Sequence, residues 1–245
     1  MAALILQVDG LTVSFDGFKA VDGLNFYVEQ DELRCVIGPN GAGKTTLLDM
    51  ICGKTKPTAG TVKFKNLELT EMIEFQITRA GVGRKFQNPS VYEDLTVAEN
   101  LEISWPKKRS VFGSLFFRPD AAVVGKVQGV ASQIFLREQL STKAGLLSHG
   151  QKQWLEIGML LMQDPELLLL DEPVAGMSAR EREQTAELLN GITKGRSVVV
   201  IEHDMAFVRM IAHKVTVLHQ GKLLAEGSMD DVQADPRVIE TYLGH

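Results

Sequence analysis

One stretch constrains the fold more than any other: Leu33-Arg34-Cys35-Val36-Ile37 followed by Gly38-Pro39-Asn40-Gly41-Ala42-Gly43-Lys44-Thr45. The first five residues form an almost unbroken apolar run, which suits a strand buried on both faces, as in a parallel sheet. The run ends at Gly38, and Leu47, Leu48 and Ile51 then recur at helical spacing. The loop between fits G-x-x-x-x-G-K-[ST]. Its glycines let the backbone wrap closely around phosphate, and the helix start adds a positive dipole end. Lys44 reaches toward β- and γ-phosphates, and the Thr45 hydroxyl suits Mg²⁺.

A second buried run completes such a site. Leu167-Leu168-Leu169-Leu170 leads into Asp171 and Glu172. Two carboxylates at the carboxyl end of a buried strand lie where α/β proteins bind ligands. Asp171 is the expected Mg²⁺ holder, and Glu172 the group that orients or deprotonates an attacking water. RSVVVIEHD at 196–204 reads as a further buried strand, and VTVLHQGKLLAEG at 215–227 as a hairpin around Gln220-Gly221. Strands at 4–15 and 24–29 open the chain. Strands alternating with helices predict a parallel sheet covered on both faces.

Residues 88–160 differ. Thr96 and Glu99 form a capping-box pattern. Val123, Val127, Val130 and Ile134 recur at helical spacing, and 151–162 reads as another helix. This stretch is expected to be a helical sub-domain inserted in an α/β core of residues 1–87 and 161–245, the whole being one domain.

Composition narrows the function. Hydrophobic residues make up 44% and charged residues 23%, which argues against a disordered or fibrous chain. The net charge of −5 disfavours a general nucleic-acid binder. Cys35 and Cys52 both fall in stretches that read as core and are expected to be reduced structural thiols. The apolar stretch of MAALILQVDG is short, follows no basic residue and is closed by Asp9, so no secretory signal is read. No uncharged apolar run approaches the ~18 residues a membrane span needs.

Leu147-Ser148-His149-Gly150-Gln151 adds a second anion site. Ser148 begins a helix, and the amides of Gly150 and Gln151 are expected to face outward. One nucleotide does not need two phosphate cradles. A dimer, in which one subunit's helix start closes over the other's nucleotide, is the economical solution.

The phosphate loop, LSHGQ and LLLLDEP, in this order and spacing, resemble the nucleotide-binding subunit of ABC transporters across 1–245. The resemblance implies a P-loop NTPase fold: a RecA-like core of ABC type with an antiparallel β portion and a helical sub-domain. It implies ATP and Mg²⁺ as ligands. ATP would lie against Phe15, Val21, Gly38, Pro39, Asn40, Gly41, Ala42, Gly43, Lys44, Thr45, Thr46 and Gln87. Phe15 matches the aromatic that stacks on adenine, Gln87 the Q-loop residue that senses γ-phosphate and metal, and His203 the switch histidine. Thr45, Gln87 and Asp171 would serve Mg²⁺; Lys44, Glu172 and His203 would serve hydrolysis. Ser148, His149, Gly150 and Gln151 would act in trans. Two positions depart from the pattern: His149 replaces a signature glycine, and Ser178 stands where the D-loop usually ends in Asp.

Stretches 81–101, 146–178 and 198–227 are similar to ATPases of the branched-chain amino-acid uptake family. Through QKQWLEIGMLLMQDP and EPVAGMS they most resemble its urea-uptake branch. Urea uptake is therefore the expectation, with amino-acid uptake as the alternative. The resemblance implies two transmembrane permease subunits, a second related ATPase and an extracytoplasmic solute-binding protein as partners. No nucleic-acid partner is expected. The chain is expected at the cytoplasmic face of the inner membrane, held through the permeases. The segment 105–119, with Lys107, Lys108, Arg109 and Arg118 among Val111, Phe112, Leu115, Phe116 and Phe117, is expected to help dock the permease or lie near anionic lipid. A non-transport ABC ATPase acting on nucleic acid or ribosomes is a distant alternative.

Overall fold

The computed structural model describes residues 3–85, 91–106 and 121–243. The chain divides into two compact units. One comprises Met1–Arg84, Glu166–Pro173 and Leu189–His245; the other comprises Lys85–Pro165 and Val174–Leu188.

The first unit holds two sheets. β1 (Leu4–Phe15) and β2 (Phe18–Glu29) are long antiparallel strands joined by the turn at Asp16-Gly17. β4 (Ala59–Phe64) pairs antiparallel with β1, and β5 (Leu67–Glu68) with β4, giving the order β2-β1-β4-β5. This is the expected antiparallel portion.

The second sheet carries the site. β3 (Leu33–Ile37) runs parallel to both β8 (Ser197–Ile201) and β9 (Lys214–His219), and β7 (Leu167–Asp171) runs parallel to β8. β6 (Val82–Lys85) and β10 (Lys222–Gly227) close the order β10-β9-β3-β8-β7-β6. β3, β7 and β8 are buried at every position, so their unbroken apolar runs pack on both faces. The sheet is not wholly parallel: β9 and β10 form the expected hairpin and pair antiparallel.

α1 (Lys44–Ile51) follows β3 and sends Leu47, Leu48 and Ile51 into a core shared with Leu6, Val8, Leu24 and Phe26 of the first sheet and Val36, Leu169 and Val199 of the second. Each such side chain contributes about 1.5–3 kcal/mol by leaving water. This packing holds the phosphate loop between two fixed ends. α2 (Glu74–Ala80) was not anticipated from the sequence. α7 (Met205–Ile211) and α8 (Met229–Ala234) complete the unit, with a short helical tail over Pro236–Val238 and Ile239–Leu243.

The second unit is helical. α3 (Val97–Ile103) begins with the capping box read from the sequence: the Thr96 hydroxyl accepts from the Glu99 amide, and the Glu99 carboxylate accepts from the Thr96 amide. α4 (Ala121–Gln133) buries Val123, Val127 and Val130. α5 (His149–Met162) packs on both, with Gly158 at the crossing: a Cβ there would sit 2.5 Å from Ile134 Cδ1. Trp154 of α5 meets Phe135 edge-on at 5.5 Å and donates its indole N–H to Thr185 at 2.8 Å. Thr185 lies on α6 (Ala179–Ile192). That hydrogen bond helps explain why Val174–Leu188, read from the sequence as core, groups with the helical unit.

Candidate functional site

The phosphate loop is shaped by close backbone approaches. Gly43 has φ +97°, and a Cβ on it would lie 2.5 Å from the Ala20 carbonyl and 3.2 Å from Val21 Cγ2. Gly41 has φ +79° with no atom within 4 Å of a Cβ position, so it faces open space. Gly43 caps α1 with no side-chain hydrogen bond. The first-turn amides of α1 thus have no side-chain cap, which is the arrangement an anion site requires.

Lys44 folds back over this loop. Its ammonium donates to the carbonyls of Gly38 at 2.7 Å and Pro39 at 3.0 Å. Burial pushes the Lys44 ammonium below the usual lysine range, while Glu172 and Asp171 act to raise it. Lys44, Asp171 and Glu172 therefore form one electrostatic cluster.

Asp171 ends β7 fully buried. Burial pushes its carboxyl above the ordinary range; a hydrogen bond from Thr45 and the Arg84 guanidinium oppose this. Its Oδ1 is buried with no hydrogen-bond partner. A buried carboxylate oxygen without a partner is costly in isolation. Beside the Thr45 hydroxyl, it fits a hard cation that takes oxygen ligands. Arg84 is itself held by Asp49 at 2.5 Å.

Glu172 follows with φ +47°, an uncommon value for this residue type. Its amide donates to the Ile201 carbonyl at 3.0 Å, which fixes the turn. The carboxylate Oε1 lies 3.7 Å from His203 Nδ1. The buried Glu202 carboxylate accepts from the amides of His203 at 3.0 Å and Asp204 at 3.4 Å, setting the loop that carries the histidine.

The sequence assignments thus fall into groups. Lys44, Thr45, Asp171, Glu172 and His203 converge at the carboxyl ends of β3, β7 and β8, with Pro39, Asn40, Ala42 and Thr46 in the loop and first turn between them. Phe15, at the end of β1, is 49% exposed. Val21 is fully buried beneath Gly43; it supports the loop from below rather than facing a ligand. Gln87 lies outside the described residues, as do Lys107, Lys108, Arg109, Val111, Phe112, Leu115, Phe116, Phe117 and Arg118.

Ser148, His149, Gly150 and Gln151 start α5 in the other unit. Here the expectation of two free amides needs correction. The Gln151 amide donates to the Ser148 hydroxyl at 3.2 Å, and the Gln151 side chain accepts from the Ser148 amide at 3.0 Å. This capping box consumes one of the two amides.

Several neighbours escaped the sequence reading. Phe18, 67% exposed, lines a hollow with Lys19, Asp22, Gly41, Gln220 and Lys222. Its place beside the loop comes from strand pairing, which a local motif does not carry. Tyr242 hydrogen-bonds the Gly38 amide, while burial and the nearby Glu202 carboxylate push its hydroxyl up. Only the fold brings that C-terminal residue, some 200 positions distant, to the start of the loop.

A family model described as ABC transporter matches residues 21–175. The chain is 34% identical to the "High-affinity branched-chain amino acid transport ATP-binding protein BraF" of Pseudomonas aeruginosa, over 100% of this chain and 99% of that protein. The chain belongs to the ABC transporter ATP-binding family. It is an ABC ATPase, a transporter subunit that binds and hydrolyses ATP. A second model, described as Branched-chain amino acid ATP-binding cassette transporter, matches residues 222–245. The same identity and coverage hold for LivG of Escherichia coli, named as a branched-chain amino acid transport protein. Among solved structures, the ADP conformation of MJ1267, an ATP-binding cassette of an ABC transporter, superposes with TM-score 0.88 at 32% identity, covering 100% of both chains. This agrees with the P-loop fold expected from the loop and the two buried strands. Among the described residues, no helix is long and apolar enough to cross a membrane.

Proposed function

We propose that this ABC ATPase powers a branched-chain amino-acid importer. The names of its full-length relatives and the match at its C-terminal segment support that solute class. They favour the alternative of the sequence reading over urea. Urea remains the second reading, carried by QKQWLEIGMLLMQDP and EPVAGMS. In either case two permease subunits, a second ATPase and an extracytoplasmic binding protein complete the system, with this chain at the cytoplasmic face of the membrane.

The observation that carries the chemistry is the convergence of Lys44, Asp171 and Glu172 on one loop, with Asp171 Oδ1 buried and unpaired. The main-chain amides of 40–45 cradle the phosphates, and Lys44 leaves the Gly38 and Pro39 carbonyls to meet β- and γ-oxygens. Thr45 and Asp171 would hold Mg²⁺, with Gln87, which when bound neutralises charge developing on the phosphoryl oxygens. Glu172 accepts a hydrogen bond from water and aims its oxygen at the γ-phosphorus; the O–P bond forms as the bond to the bridging oxygen breaks and ADP leaves, and the water's proton passes to the Glu172 carboxylate. His203, beside Glu172, holds the γ-phosphate in line. Phe15 stacks on adenine, and Ser148, His149 and Gly150 complete the site of an opposing subunit.

The test is uptake of labelled leucine and labelled urea at low external concentration, in source cells carrying wild-type protein or Glu172→Gln. Loss of leucine uptake alone supports the proposal. Loss of urea uptake alone keeps the chemistry and moves the solute to the second reading; no change in either overturns both.

A further inference from the structure

The start of α5 is tied to the turn before α6 by the carboxylate of Glu181, which also closes a capping box with Ser178. Ser148 Oγ accepts from the Gln151 amide, so its single proton is left to donate. That proton points to Glu181 Oε1, at 3.3 Å. The other oxygen of Glu181 accepts from the Ser178 amide at 2.9 Å and the Ser178 hydroxyl at 2.8 Å. Glu181 also lies directly over Gly150: a Cβ there would come 2.4 Å from Oε1. Hydrogen bonds from the Ser178 amide and hydroxyl hold its carboxyl below the usual range, so it is an anion at neutral pH. Beside it, His149 Nε2 lies 3.2 Å from the Ala175 carbonyl and 3.0 Å from Gln153 Nε2. The two departures from the family pattern, His149 and Ser178, thus both lie near Glu181 within one unit, Ser178 hydrogen-bonded to it.

We propose that Glu181 is a positioning residue that competes with the γ-phosphate of ATP for the Ser148 hydroxyl, holding the signature in a low-affinity state until nucleotide displaces the carboxylate. This rests on the reading that Ser148 contacts ATP held by an opposing subunit. The contacts of the Glu181 carboxylate to its two partners are unequal. Those to Ser178 are of ordinary length and anchor the carboxylate. The one to Ser148 is long against the usual 2.7–2.8 Å for a hydroxyl donor, and so is readily exchanged. A phosphate oxygen arriving at Ser148 would meet a second anion on the same proton. One of the two must yield, and the anchored carboxylate raises the ATP concentration at which phosphate prevails. Ser178 is central to this device: it is both the anchor of Glu181 and the residue standing where the family places an acid.

Glu181→Gln separates this role from helix capping, because glutamine also serves at the third position of a capping box. The assay is ATP hydrolysis by the complete transporter as a function of ATP concentration, for wild type, Glu181→Gln, Ser148→Ala and the double variant. Glu181→Gln is expected to lower the half-saturating ATP concentration about threefold to tenfold at nearly unchanged maximal rate, as loss of one competing contact allows. Ser148→Ala is expected to raise it, and the double variant to match Ser148→Ala alone. Glu181→Ala, which loses both charge and cap, should shift half-saturation the same way as Glu181→Gln but also melt lower. Ser148→Ala impaired with Glu181→Gln unchanged or weaker in ATP use overturns the proposal alone. Ser148→Ala without effect overturns the signature reading, and the proposal with it.

Discussion

Gly43→Ala should cost far more than Gly41→Ala, though both change a glycine of the same loop. At Gly41 the only penalty is placing a Cβ residue at φ +79°, about 1–2 kcal/mol, since nothing lies within 4 Å. At Gly43 the left-handed penalty recurs at φ +97°, and the new methyl meets the Ala20 carbonyl at 2.5 Å. The obstacle is backbone of β2, which cannot rotate away as a side-chain end can. Overpacking of this kind costs about 1–3 kcal/mol more. The sum is about 2–5 kcal/mol, a large share of a typical domain's stability. At about 2–4 °C per kcal/mol for a chain of this size, Gly43→Ala should lower Tm by about 4–20 °C and Gly41→Ala by about 2–8 °C. Far-UV circular dichroism melts of the full chain, without nucleotide, measure both. Equal, small shifts would show that the loop is not clamped against β2, and would remove the packing argument for its shape.

Three further outcomes follow from the same geometry. Lys44→Ala should abolish measurable ATP binding by isothermal titration, because it removes the ammonium that lies over the loop, poised to meet the β- and γ-phosphates; full binding would remove Lys44 from the site. Thr185→Val should cost about 1–3 kcal/mol in denaturant unfolding, since it strands the buried Trp154 indole N–H; a change below a few tenths would mean the pair adds nothing. Cys35 should resist a thiol reagent in the native protein and react only on unfolding: burial and the nearby Glu202 push its thiol well above the usual range, and the thiolate is the reactive form.

The site was legible where chemistry depends on a contiguous motif. Gly38 to Thr45 and Leu167 to Glu172 each carry their own strand, turn and reactive groups, so local sequence sufficed. The capping box at Thr96 was equally local, as was the helix start at Ser148, but the structure closes a box there too, which claims the Gln151 amide and which the helix start alone did not reveal. What escaped the sequence is set by tertiary pairing. Phe18 comes beside Gly41 because β2 lies under the loop, and Tyr242 reaches Gly38 through the C-terminal tail. Glu181 reads on paper as an ordinary helix-start acid; only the packing of α5 and α6 sets it against Ser148. Solute choice was least legible, since this subunit's chemistry acts on ATP and not on the cargo.

The central claim is that Glu172 directs water onto ATP held by the 38–45 loop. The direct test is to measure ATP binding and single-turnover hydrolysis of the same protein, wild type against Glu172→Gln. Binding within a few-fold of wild type, with hydrolysis slowed by about 10²-fold or more, is the predicted result. Near-normal turnover by Glu172→Gln would contradict it and send the search for the water-directing group elsewhere in the site.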